Sequence, residues 1–83
     1  MNKKSLLNKQ FDKKFGAFVK RKRLEKGWLQ DDLASAIDSD FQNISRLERG
    51  NVTPTLYWCH RLAEAFDMDI SDFMKGFEFK KKK

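Results

Sequence analysis

The stretch DFQNISRLERG, residues 40–50, has the pattern of one short helix with a capping residue before it and a glycine stop after it. Successive residues of a helix turn by about 100°. Ile44, Leu47 and Glu48 therefore point to one side of this helix. The opposite side is polar and carries Gln42, Ser45, Arg46 and Arg49.

Glu48 is then a carboxylate on a buried face, which is costly without a partner. Arg23 has the matching problem, because it follows Phe15 and Val19 on the apolar stripe of its own helix. Two opposite charges on two inward faces predict one buried, hydrogen-bonded ion pair, Arg23–Glu48. The alternative is that both charges reach the rim of the core.

The outward side chains match the edges of DNA bases. The Gln42 amide offers a donor and an acceptor side by side, as adenine requires, and the Arg46 guanidinium matches guanine. The two residues are four apart and share a ridge that a major groove can admit. Phe41 fits either a contact with a thymine methyl group or a place in the core.

Apolar residues recur every three or four positions along the chain, which predicts helices and no strand. The expected fold class is all-α, a compact five-helix bundle. A fourth helix after Thr55 is expected to bury Leu56, with Trp58 and Tyr57 more naturally core than surface. The other helices are expected at residues 11–26, 30–37, 41–49 and 70–75.

The net charge of +6 is concentrated at the two ends of the 83-residue chain. Residues 1–26 hold ten Lys/Arg and two acids, residues 27–79 hold four and ten, and residues 80–83 are all lysine. Basic ends suit an anionic partner such as nucleic acid. Solvated helix faces and a solubilising tail would give the same pattern.

Several classes of function are disfavoured. A single cysteine rules out an internal disulfide and indicates a reducing, cytoplasmic compartment. Apolar runs are too short for a membrane span. Cys59 and the neighbouring His60 diverge on a helix, so they form no nucleophile–base pair. One Cys and one His are too few ligands for a zinc set. We expect no enzyme activity, no cofactor and no metal.

Two segments, GWLQDDLASAIDSDFQNISRLERG and TPTLYWCHRLAEAFDMDISDF, resemble the lambda-repressor/Cro-like (XRE-type) helix-turn-helix family of bacterial and phage regulators. The similarity covers about residues 15–74. It rests on the family's Gln-x-x-Leu-Ala motif, an apolar residue ten positions later, a closing Glu-Arg-Gly and a helix 1 arginine. These features are at Gln30, Leu33, Ala34, Ile44, residues 48–50 and Arg23.

The resemblance implies a mode of DNA binding. The start and outer ridge of helix 3 would read bases through Phe41, Gln42 and Arg46. The N-terminus of helix 2 and the end of helix 3 would contact phosphates. The family binds mostly as two-fold dimers on palindromes, here through helix 5 and the C-terminal residues. The implied phosphate contacts are Gln30, Asn43, Arg49 and Asn51.

The sequence departs from the family pattern near the turn. Leu29 stands where the family usually has Ser, Thr or Asn, so a side-chain cap and a phosphate contact are missing. Asp38 stands where the family usually has glycine, and aspartate tolerates a positive φ better than most residues. Ser39 replaces an apolar residue. The turn is expected to form despite these changes.

We therefore expect a basic N-terminal arm that can be disordered at residues 1–10, a DNA-binding domain at 11–76 and a basic tail at 77–83. The expected function is transcriptional repression by a homodimer on a palindromic operator of double-stranded DNA. The alternative is an antitoxin-like module that mainly binds a partner protein, with DNA binding secondary. An exposed aromatic patch around Trp58 and Phe77 would favour that alternative.

Overall fold

A computed structural model of the chain describes residues 3–77, with side chains described from Leu6 onward. The predicted all-α class and five-helix architecture are confirmed, and the predicted bounds of α2, α3 and α5 are correct to within one residue. No described residue lies in a strand. The helices are α1 (Lys3–Glu25), α2 (Gln30–Ala36), α3 (Phe41–Glu48), α4 (Leu56–Ala65) and α5 (Ile70–Lys75).

Helix α1 begins at Lys3, so the predicted start at Phe11 is wrong. The prediction followed the apolar stripe, whereas a helical backbone requires only adequate helix propensity. Residues 3–10, KKSLLNKQ, contain neither glycine nor proline and are rich in Lys and Leu, which favour helix. These residues extend α1 to a length of about 35 Å instead of preceding it as an arm. Residues 1 and 2 lie outside the described residues.

The core draws on every helix, and α3 packs against both α1 and α2. This arrangement fixes α3 from two sides and leaves its third side outward. Each helix contributes at least one side chain with 0% exposure, and these are Phe15, Val19, Leu33, Ile44, Leu47, Leu62 and Phe73.

Two predictions about the start of α4 are wrong. Leu56 is 77% exposed and Tyr57 66% exposed, although both were expected in the core. Helical side chains point back toward the N-terminus, so a residue in the first turn projects past the end of its own helix. Trp58, one residue later, is half-buried and packs against the core as predicted.

Phe77 belongs with the folded domain and not with the tail that was predicted to start there. Its ring centroid lies 5.4 Å from that of Phe11, 5.3 Å from Phe15 and 5.4 Å from Phe18. The chain therefore returns after α5 to cover the aromatic stripe of α1. The rest of the predicted tail, residues 78–83 with Phe79, lies outside the described residues.

Helices α1 to α4 all end in the same hydrogen-bonded turn, in which a left-handed residue follows the last helical turn. Glycine takes this conformation at Gly27 and Gly50, with φ of 72° and 78°. Aspartate takes it at Asp38 and Asp67, with φ of 57° and 61°. The expectation that Asp38 can replace the family's glycine in the turn is confirmed.

Within residues 3–77, no helix combines the length and the apolarity that crossing a bilayer requires.

Candidate nucleic-acid interface

Helix α3 presents one face to the core and the other to solvent. Ile44 and Leu47 are fully buried. Gln42, Arg46 and Arg49 are exposed on the opposite side, and Phe41 is 50% exposed at its start. Of the two interpretations of Phe41, the structure therefore favours the surface position.

The N-terminus of α3 is fixed by side-chain hydrogen bonds. The Asp40 carboxylate accepts from the backbone N–H of Asn43 at 2.9 Å, as predicted for its N-cap. The amide of Asn43 in turn donates to the Ser39 hydroxyl at 3.0 Å. The half-buried Asn43 side chain therefore braces the turn between α2 and α3, and the phosphate contact expected of it remains a prediction.

A buried charge network holds α3 in place from the core side. The Arg23 Nε donates to Glu48 Oε2 at 2.7 Å, and its Nη2 donates to Oε1 at 3.1 Å. The third donor, Nη1, reaches the Trp28 carbonyl oxygen at 2.6 Å. Counted over the whole residue, backbone included, Arg23 is 6% exposed and Glu48 8% exposed. The structure therefore brings together and buries the two charges that the sequence assigned to one pair.

Gln30 joins this network. Its side-chain Nε2 donates to Glu48 Oε1 at 3.1 Å. Since Gln30 is the first residue of α2, the network ties α1, α2 and α3 together at one point. Gln30 was expected only at a phosphate, and its contact with Glu48 was not predicted, although the spacing from Leu33 already puts Gln30 on the inner edge of the helix.

The α2 N-terminus has only half of a capping box. Leu29 lacks a side-chain oxygen, and only its backbone N–H takes part, donating to Asp32 Oδ2 at 2.8 Å. Leu29 is also 70% exposed, so its isobutyl group gains little from burial. The missing cap that the sequence indicated is therefore a real feature of the fold.

Replacing Leu29 with threonine is expected to stabilise the protein by about 1 kcal/mol, because a hydroxyl at this position can accept from the backbone N–H groups of the first turn. Urea unfolding would measure the gain as a higher midpoint at an unchanged slope. Leu29→Ala is the matched control, since it removes the same exposed apolar group without adding an acceptor. Equal midpoints for the two variants would contradict the capping argument.

The acidic residues near the exposed face of α3 have structural roles that explain their presence. Asp32 and Asp40 cap the starts of α2 and α3. Asp38 supplies the left-handed residue of the turn. Asp31 lies in the first turn of α2, where a negative charge interacts favourably with the helix dipole.

The loop after α3 is held by a hydrogen bond to α1 that was not predicted from the sequence. The Thr53 hydroxyl lies 2.7 Å and 2.8 Å from the two carboxylate oxygens of Asp12, which is only 9% exposed. A polar residue on the apolar stripe of α1 was the available signal. Asn51 is exposed in the same loop, and its backbone N–H donates to the Arg46 carbonyl oxygen at 2.9 Å.

The residues considered for other chemistry are structural. Cys59 is buried, and burial raises the pKa of its thiol. His60 Nε2 lies 3.6 Å from Glu64 Oε2 on the exposed face of α4. In the part of the chain that the structure describes, His, Cys, Asp and Glu side chains form no group able to hold a metal ion.

Comparison with known proteins agrees with this geometry. Two of the solved structures with a similar fold are regulators. The clp gene regulator ClgR from C. glutamicum has 23% identity and a TM-score of 0.70, over 78% of this chain and 84% of that one. The restriction-modification controller protein C.AhdI from Aeromonas hydrophila has 28% identity and a TM-score of 0.72, over 78% of this chain and 94% of that chain. No curated protein sequence matches the chain.

An exposed third helix behind a braced turn, on a scaffold that these two regulators share, is the arrangement of a helix-turn-helix domain. The helix-turn-helix family model matches residues 19–73, and the chain belongs to this family. The resemblance to lambda-repressor/Cro-like regulators is confirmed. The chain is a DNA-binding transcriptional regulator, and the family assignment also supports the expectation that it is not an enzyme.

Proposed function

We propose that the protein is a cytoplasmic repressor that binds a palindromic operator as a homodimer, with α3 in the major groove. One observation carries the proposal: Gln42 and Arg46 are both exposed on the face of α3 opposite the buried Ile44 and Leu47. In this arrangement Gln42 and Arg46 reach base edges, and Phe41 at the helix start contacts a thymine methyl group.

Phosphate contacts would set the register of α3 on the duplex. Arg49 and Asn51 are exposed where α3 gives way to the loop, and no carboxylate of residues 3–77 forms an ion pair with Arg49. Gln30 has a second amide N–H besides the one that binds Glu48. Together with Asn43 and the free N–H groups that begin α2, these residues clamp the backbone beside the half-site.

The small number of base pairs that one α3 can contact favours a two-fold dimer. One α3 covers only a few base pairs, and two copies about one helical turn apart double the length of sequence that is read. Occupying a promoter requires only this binding, which makes repression the simplest outcome. The controller protein C.AhdI, similar in structure, is likewise named for a regulatory role.

The protein-interaction alternative lacks the feature that would favour it. It required an exposed aromatic patch around Trp58 and Phe77, and both side chains are half-buried against the core. Next to Trp58 in the sequence, Leu56 and Tyr57 are exposed, but they are two adjacent residues and not an extended patch. The other exposed large apolar side chains of the described residues lie on other parts of the fold, and these are Leu6, Leu24, Leu29 and Phe41.

Selection of bound duplexes from a random pool tests the proposal directly. We expect an enriched palindrome with half-sites about one helical turn apart, and a complex with two protein chains per duplex by analytical ultracentrifugation. Enrichment of a single asymmetric half-site with one bound chain would contradict the dimer. Recovery of no sequence preference would contradict specific regulation.

A further inference from the structure

The middle of α1 is fixed against the end of α3 and the loop that follows. Gly16 lies so close to α3 that a Cβ there would be 2.3 Å from the Leu47 carbonyl oxygen. One turn earlier, Lys13 lies over Gly50, where an added Cβ would meet the Lys13 Cα at 2.8 Å. The neighbouring Asp12 holds Thr53 through its hydroxyl. Lys13 is therefore held in a defined position beside the loop.

The lysines of this part of α1 lie on two different edges of the helix. Lys13 borders Gly50, whereas Lys14 borders the groove formed with Phe18 and Phe77. Lys9 precedes Lys13 by one turn and lies on the same edge. Both Lys9 and Lys13 are exposed.

The edge with Lys9 and Lys13 continues the surface proposed for phosphate contact. Gly50, beneath Lys13, lies between Arg49 and Asn51 in the sequence. A lysine carries its charge at the end of a flexible four-carbon stem, so the Lys13 ammonium can reach beyond the loop. Lys9 adds a second charge about 6 Å further along the helix axis, which suits a line of phosphates better than a single anion.

We propose that Lys9 and Lys13 form a second phosphate-binding edge that holds the DNA backbone next to the segment contacted by the α3–α4 loop. The proposal rests on the docking of α3 proposed above. The same duplex is the occupant, because the edge is continuous with that interface and opposite in charge to DNA. Its positive charge also offsets the exposed acids Asp31 and Asp38 near the interface.

The position of the lysines on the helix provides a matched test. Lys9→Gln/Lys13→Gln and Lys14→Gln/Arg21→Gln each remove two positive charges from α1, the first pair from the edge beside Gly50 and the second from the edge beside Phe77. Binding to the selected operator would be measured from 50 to 200 mM salt. We expect the first double variant to reduce the slope of log K against log salt by about 2, or about 1 for each lost phosphate contact. We expect the second to keep the wild-type slope.

Two outcomes would overturn the proposal. An equal change of the salt slope in both double variants would show that only the net charge of the protein matters, and not the position of Lys9 and Lys13. An unchanged salt slope in Lys9→Gln/Lys13→Gln would show that these two lysines do not contact the DNA phosphates. Thermal unfolding of both variants separates binding from folding. Failure of the proposed docking of α3 can be told apart from failure of the lysine edge. It would leave the base preference of Arg46→Ala the same as that of the wild type, whatever the salt slopes of the lysine variants.

Discussion

Replacing Glu48 with leucine is expected to destabilise the protein by about 3–5 kcal/mol. The Arg23 guanidinium would keep its hydrogen bond to the Trp28 carbonyl oxygen. Its Nε and Nη2 groups would lose the carboxylate that accepts from them, and the positive charge would lose its counter-charge. The side chains of Arg23 and Glu48 are 8% and 2% exposed, so water cannot replace the carboxylate without opening the core. The cost comes mainly from the stranded charge and not from the loss of a strong attraction.

A double-mutant cycle separates these two contributions. Arg23→Met/Glu48→Leu removes both charges and is expected to recover most of the stability lost in Glu48→Leu, because an apolar pair of similar volume carries no desolvation cost. Chemical denaturation of the two single variants and the double variant gives the coupling energy. A loss below about 1 kcal/mol for Glu48→Leu, as for an exposed ion pair, would contradict a buried network.

Replacing Gly16 with alanine is the second change with a large expected effect. An added Cβ would lie 2.3 Å from the Leu47 carbonyl oxygen and 2.7 Å from that of Glu48. Both atoms are backbone, so α1 and α3 must move apart, and we expect a loss of roughly 2–4 kcal/mol. Because α3 carries the proposed base-reading residues, DNA affinity should fall as well.

The neighbouring residue supplies the control for Gly16→Ala. Ala17 is exposed on α1, and Ala17→Gly is expected to cost about 1 kcal/mol through helix propensity alone. Gly16→Ala and Ala17→Gly, which are opposite changes at adjacent positions, should therefore both lower the melting temperature of the protein in thermal unfolding. If Gly16→Ala instead raised the melting temperature, the gain in helix propensity would exceed the cost of the clash with the Leu47 and Glu48 carbonyl groups. That result would contradict the close approach of α1 to α3.

The elements that the sequence predicted well are those with a local signal. Helices α3 and α5 have an aspartate cap and a regular apolar face, and the positive φ at Asp38 follows from turn chemistry. Arg23 and Glu48 could be paired because a charge on an apolar stripe requires a partner. These inferences need only the period of the helix and the cost of burying a charge.

The remaining features depend on tertiary packing. The contact of Thr53 with Asp12 joins residues 41 apart, and the requirement for glycine at position 16 arises from carbonyl groups of another helix. The start of α1 was misplaced because propensity extended the helix beyond its apolar stripe. Leu56 fits the spacing of the α4 core face but lies too close to the helix start for any neighbour to cover it.

Base preference of the Arg46→Ala variant tests the central claim most directly. Affinities of wild type and variant would be measured for the selected operator and for every single-base change in one half-site. If α3 lies in the major groove, the variant loses about 1–3 kcal/mol of discrimination at one position and keeps the wild-type preferences elsewhere. Gln42→Ala should affect a different, neighbouring position. A uniform loss across all sequences, or an unaltered preference, would contradict base reading by α3.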